Sequence, residues 1–175
     1  MGFCLIPDYS FPNTTDISPS FLKQKGIKFM MIDLDNTLAA YDEYAPSESI
    51  SKWMSSIKAS GITAALVSNS TRVMRVYTFA ETFDINSVAR ARKPSPFNML
   101  HLMETAGFNA NESALIGDQI FTDVLAANRA QVVSIIVKPR KFTNVFLALR
   151  YYAEFPIRFF TRNKMMKSEE SPTNE

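Results

Sequence analysis

Cysteine and histidine are almost missing from this chain. Cys4 is the only cysteine in 175 residues, which excludes an intrachain disulfide and any metal centre built on thiolates. His101 is the only histidine, so imidazole-dependent catalysis has one candidate, and it falls in the middle of a stretch with helical spacing. No apolar run approaches the roughly 20 residues that span a bilayer, and no basic flank leads into an apolar signal core near Met1. An intracellular, reducing, cytoplasmic setting is the expectation. Nor does either sign of charge dominate: 19 lysines and arginines against 17 aspartates and glutamates leave a formal net charge of +2, which argues by itself for neither nucleic acid nor membrane. No internal repeat interrupts the sequence.

What is present is ordinary globular material. Hydrophobic residues make up 46% and charged ones 21%, and a domain of roughly 150 residues buries about 70% of its unfolded surface. One core therefore suffices. Residues 1–26 mix apolar side chains with Pro7, Pro12, Asn13, Asp16 and Pro19. That pattern predicts turns, with at most a short helix near Pro19, in an arm packing on the domain. From residue 27 to 137 strands alternate with helices. Strands are expected at Lys28 to Leu34, Thr63 to Val67, Ser87 to Ala89, Ser113 to Ile116 and Val132 to Val137. Helices are expected from Pro46 or Ser47 to about Ala59, from about Arg72 to Thr82, from an opening at Pro94 and Pro96 to a stop at Gly107, and from about Thr122 to Arg129. Such alternation implies an α/β fold with a mostly parallel central sheet flanked by helices and right-handed crossovers.

The run Lys28 to Leu38, K-F-M-M-I-D-L-D-N-T-L, organises the rest. Phe29 to Ile32 offer no polar face, as a strand buried on both sides requires. Asp33 and Asp35 then sit two apart, a spacing that points both side chains the same way in an extended chain. Two like charges there repel unless a cation or a shared proton lies between them. Every other polar cluster also falls at or just beyond a predicted strand end: Ser68 and Asn69 after the second, Lys93 beyond the third, Asp118 after the fourth. A parallel sheet brings them to one edge, where ligands of such sheets bind. Carboxylates, a hydroxyl and an ammonium together suit a metal-assisted phosphoryl transfer, in which cations offset the charge of the transferring group.

These residues carry a family likeness. D-L-D-N-T at Asp33 to Thr37, the apolar-S-N of Val67 to Asn69, K-P at Lys93-Pro94 and G-D-x-x-x-x-D at Gly117 to Asp123 resemble the four motifs of the haloacid dehalogenase (HAD) superfamily phosphatases, in that family's order. The flanks, including L-I-P-D-Y, resemble its YqeG-type subfamily (HAD-IIIA), which is similar to the mitochondrial phosphatidylglycerophosphatases. The resemblance implies a Rossmann-like fold and a Mg2+-dependent phosphomonoesterase. It implies that Asp33 is the nucleophile forming an aspartyl-phosphate, that Asp35 is the general acid and then base, and that Thr37 steadies the Asp35 loop. Ser68 and the Asn69 N–H would hold phosphate oxygens, with Lys93 neutralising the phosphoryl group and Asp33. Asp33, Asp118 and the Asp35 carbonyl would bind the metal, with Asp123 nearby or bound through water. The family's cap domain has no room between motifs, so the site should be open, with Tyr41, Asp42, Glu43 and Tyr44 lining it. By resemblance the favoured substrate is a lipid-linked phosphate such as phosphatidylglycerophosphate.

Residues 138–167 carry Lys138, Arg140, Lys141, Arg150, Arg158, Arg162, Lys164 and Lys167 against Glu154, interleaved with seven aromatic side chains. Three readings fit: packing on the core, contact with an anionic membrane surface, or contact with nucleic acid. The rival to the enzyme is accordingly a noncatalytic binding protein using this basic segment on RNA or ribosomes. Residues 168–175 are polar and expected to be disordered.

Overall fold

The computed structural model describes residues 4–141 and 151–158. Six strands form one sheet: β1 (Tyr9–Phe11), β2 (Phe29–Ile32), β3 (Thr63–Val67), β4 (Asn86–Val88), β5 (Ser113–Gly117) and β6 (Val133–Val137). Their order is β1-β6-β5-β2-β3-β4, and every pairing is parallel. The flanking helices are α1 (Pro19–Gln24), α2 (Glu48–Ala59), α3 (Val73–Phe83), α4 (Phe97–Ala106) and α5 (Leu125–Ala130).

The period of two along β2 divides the core. Met30 and Ile32 join Trp53, Met54 and Ile57 of α2 and Val76, Phe79 and Phe83 of α3 on one face. Phe29 and Met31 meet Met99, Leu102 and Met103 of α4 and Ala126, Ala127 and Ala130 of α5 on the other. Residues 33–47 link β2 to α2 and residues 68–72 link β3 to α3, so no cap domain is inserted at either place. Among the described residues no helix is long and apolar enough to cross a membrane.

The N-terminal arm contributes more than turns. β1 lies at the sheet's edge, with Tyr9, Ser10 and Phe11 in register with Ile135, Ile136 and Val137. Asp8 locks it there: its Oδ2 accepts from the Ser134 N–H and Oγ–H, each at 2.8 Å, and its own N–H donates to the Ser134 carbonyl at 3.0 Å. Trp53 Nε1 donates to the Ile17 carbonyl at 2.7 Å, which fixes the arm over α2. Near the other end of the chain, residues 151–158 are helical. The other residues of 138–167, apart from 138–141, and the expected disordered end lie outside the described residues.

Candidate active site

The site follows from strand register. Ile32, the last residue of β2, is level with Leu66 of β3 and Ile116 of β5, so Asp33, Ser68 and Asp118 leave the sheet as neighbours. β2 is where the chain reverses direction across the sheet, running out to β3 and β4 and returning to β5 on the other side. Crevices at such a switch point receive ligands. Beyond Asp33 the backbone tightens: the Leu34 carbonyl accepts from Leu38 and Ala39 at 3.0 and 3.1 Å, and Asn36 N–H donates to the Ala39 carbonyl at 2.7 Å. Asn36 has φ of 60°, a left-handed conformation asparagine tolerates better than most residues. Thr37 is buried, and its carbonyl accepts from Thr14 Oγ1 at 2.8 Å.

Asp33, Asp118 and Asp123 are buried, and each offers an oxygen within 4.8 Å of the others. Lys93 reaches into this group, its Nζ 2.7 Å from Asp33 Oδ1, 2.7 Å from Asp123 Oδ1 and 2.7 Å from the Val67 carbonyl. Its backbone is gripped by the Asn69 side chain, which donates to the Lys93 carbonyl at 2.8 Å and accepts from the Lys93 N–H at 2.7 Å. Three carboxylates thus face one ammonium. Burial, reinforced by Asp123 against the opposing pull of Lys93, pushes the Asp33 carboxyl up to about 7. Burial, with Asp123 and Asp33 beside it, raises Asp118 well above the carboxylate range. Burial disfavours the Lys93 ammonium, yet Asp123 and Asp33 outweigh it and hold the lysine above its ordinary value. Asp118 Oδ1 is buried with no hydrogen-bond partner among the described residues. An all-oxygen set with surplus negative charge and an unsatisfied oxygen fits a hard divalent cation.

Asp35 stands apart from that group. Its Oδ1 takes a charge-assisted bond of 2.5 Å from Arg75 of α3, and both residues are buried. Ser68 is buried too, with its Oγ accepting from the Ser70 N–H at 3.1 Å. The cavity over the carboxylates, about 150 Å³, is lined by Asp33, Asp35, Tyr41, Asn69, Ser70, Lys93, Gln119, Thr122 and Asp123. Ser70, Gln119 and Thr122 had no role in the sequence reading, whereas Ser68 lies behind the lining. Asp42 and Glu43 turn to Lys141 and Arg140. His101 is exposed on α4. A larger cavity of about 560 Å³, bounded by Lys58, Thr63, Asp84 and Asn86, opens at the amino ends of β3 and β4. It is far from this chemistry, and its lysine is already tied to Asp84.

The loop after β5 is held from two sides. A Cβ at Gly117 would lie 2.3 Å from Asp123 Cγ, so only glycine lets Asp123 fold back against the strand end, where its Oδ2 accepts from the Gln119 N–H at 3.0 Å. The helix expected from Thr122 begins instead as a wider π turn, Ile120–Val124, before α5. From residues 151–158, Glu154 Oε1 accepts from the N–H groups of Ile120 and Phe121 at 2.9 and 3.4 Å. Arg158 pairs with Glu154 and donates to the carbonyls of Asp118 and Val137. The sequence gives a signal for Arg75, a cation on the apolar stripe Val76, Phe79, Ala80 and Phe83. Glu154 and Arg158 are signalled by i,i+4 spacing alone.

A sequence model described as haloacid dehalogenase-like hydrolase matches residues 11–131. The chain is similar to the probable phosphatase YqeG of Bacillus subtilis (strain 168), 32% identical over 142 residues, 81% of this chain and 82% of that protein. Its fold is similar to that of the cobalt-bound deoxy-D-mannose-octulosonate 8-phosphate phosphatase from Haemophilus influenzae, with a TM-score of 0.51 at 20% identity over 66% of this chain and 70% of that one. An uncharacterized protein from Listeria monocytogenes serotype 4b gives a TM-score of 0.54 at 16% identity over 68% and 84% of the two chains.

Proposed function

The chain belongs to the haloacid dehalogenase-like hydrolases as a YqeG-like phosphatase, and from that premise we propose that it hydrolyses a phosphomonoester through a covalent phosphate on Asp33, with Mg2+ as the metal. The observation that carries the reading is the grouping of Asp33, Asp118 and Asp123, with Lys93 paired to Asp33 and Asp123, beside a cavity that Asp33, Asp123 and Lys93 line. Asp33, Asp118 and Asp123 would hold Mg2+, and the family likeness adds the Asp35 carbonyl. The bound ion would supply positive charge against the phosphoryl oxygens.

In the first step an Asp33 oxygen attacks phosphorus, the ester P–O bond breaks, and the leaving oxygen takes a proton from Asp35. In the second, Asp35 takes a proton from water, the water oxygen attacks phosphorus, and the Asp33–phosphate bond breaks. Lys93 keeps the Asp33 carboxylate in place and offsets the charge of the incoming group. Ser68, with the Asn69 backbone N–H, would hold phosphate oxygens; Asn69 and Ser70 line the cavity, and the Ser68 Oγ accepts from the Ser70 N–H just behind it.

For the substrate we favour a lipid-linked phosphomonoester such as phosphatidylglycerophosphate. A cavity of about 150 Å³ takes a phosphoryl group and leaves the remainder of the ester outside. Exposed Tyr44, Met74, Phe97 and Phe121 follow β2, β3, β4 and β5 in turn, and Tyr152 and Phe155 are exposed on the helical segment that holds the β5 loop. Arg72 is exposed beyond β3, Arg90 and Arg92 beyond β4, and Lys138 beyond β6. An apolar and basic rim suits an anionic lipid surface.

Release of phosphate from p-nitrophenyl phosphate with Mg2+ tests the chemistry. Asp33→Asn should remove turnover while leaving the melting transition cooperative; undiminished turnover in that variant ends the nucleophile assignment. No activity with any divalent metal would favour the noncatalytic alternative, an RNA- or ribosome-binding protein. A screen of phosphorylated lipids, sugars and nucleotides tests the substrate, and preference for a soluble sugar phosphate would displace the lipid.

A further inference from the structure

Arg75 is a costly residue where it stands. It lies on the buried stripe of α3 with Val76, Phe79, Ala80 and Phe83, and a buried guanidinium persists only where its charge and donors are matched. Here they are: one terminal nitrogen donates to Asp35 Oδ1 at 2.5 Å, the other to the Ala40 carbonyl at 2.7 Å, and Nε to the Glu43 carbonyl at 2.8 Å. The planar group also stacks over Phe79, 5.2 Å from the ring centre. One side chain thus ties Asp35 to the loop that carries Tyr41, and both Asp35 and Tyr41 line the cavity while Arg75 does not.

We propose that Arg75 is the positioning residue for Asp35, fixing one carboxylate oxygen so that the other is presented to the ester's leaving oxygen. The inference rests on the acid and base role given to Asp35 above. The rigid fork matters as much as its charge, because three acceptors on two segments are held by one plane. A lysine ammonium cannot span all three.

The consequence is selective for leaving group. An alkoxide must be protonated as it departs, whereas 2,4-dinitrophenolate leaves without a proton. The parameter kcat/KM reports steps up to formation of the covalent phosphate, so it isolates that protonation from the later attack of water. The experiment measures kcat/KM for glycerol 1-phosphate and for 2,4-dinitrophenyl phosphate in the wild type, Arg75→Lys, Arg75→Gln and Asp35→Asn. The ratio of the two values cancels any difference in the fraction of folded enzyme.

Arg75→Gln should lower the ratio of alkyl to dinitrophenyl ester by about tenfold or more, a part of the roughly 10²–10⁴-fold that general acid catalysis supplies. Arg75→Lys should lower it less, and Asp35→Asn at least as much as the glutamine. If the glutamine variant does not fold, the lysine variant gives the same reading. A wild-type ratio in a folded Arg75 variant, with the ratio lowered in Asp35→Asn, overturns the positioning role alone. A wild-type ratio in Asp35→Asn overturns the assignment beneath it.

Discussion

Gly117 is a residue whose missing side chain positions another. Its φ lies in ordinary territory, so the constraint is space: a Cβ there would meet Asp123 Cγ at 2.3 Å. Gly117→Ala must push Asp123 away from Lys93, at a cost of about 1–3 kcal/mol, the usual penalty of overpacking. Calorimetric melting should show that loss, and the stabilisation gained on adding Mg2+ should shrink with it. The sequence marks Gly117 and Asp123 as parts of one motif without showing that they touch. It also points to Ser68, yet the serine lining the cavity is Ser70, while the Ser68 hydroxyl accepts from the N–H two residues on. A one-dimensional reading fixes which strand end a polar cluster belongs to but not which side chain faces out.

At the level of elements, two segments at opposite ends of the chain brace the sheet. Glu154→Ala would strip the N–H groups of Ile120 and Phe121 of their acceptor and remove the carboxylate that pairs with Arg158. Breaking a buried pair in this way costs about 3–5 kcal/mol, and the loop carrying Asp118 should loosen, so Mg2+ titration should give a weaker affinity. Asp8→Ala should behave differently. It removes the acceptor of two bonds to Ser134 at the far edge, costing about 1–3 kcal/mol, while kcat stays unchanged because β6 and β5 separate β1 from β2. The same contrast separates what was legible beforehand from what was not. β2, β3, β5 and β6 show as apolar runs because both faces are covered. β1 is three residues between Pro7 and Pro12, too short for any periodicity, and its place depends on Asp8 finding Ser134. The π turn was hidden for a related reason, since the Glu154 carboxylate that receives its first N–H groups comes from thirty-four residues away.

Over the whole molecule, the site's charge should govern how stability responds to pH and metal. Asp33 titrates near 7 when folded and near 3.9 when unfolded, so between those values the folded chain binds the extra proton. Stability from this group therefore falls as pH rises from about 4 through 7. Mg2+ binds the ionised form, so its stabilising shift should be larger at pH 8 than at pH 5.5. At a hundred times the dissociation constant the gain is about 2.7 kcal/mol, or roughly 5–10 °C for a chain this size; scanning calorimetry at both pH values, with magnesium and with chelator, checks it. An equal shift at the two pH values would contradict carboxylate ligation. The edge pairing of β1 with β6 has a further consequence, for biosynthesis. Asp8 and Ser134 are 126 residues apart, so during translation the first strand emerges with no neighbour to join. At ordinary elongation rates it waits about 6–25 s for its partner to be made, and the sheet is finished by its earliest piece.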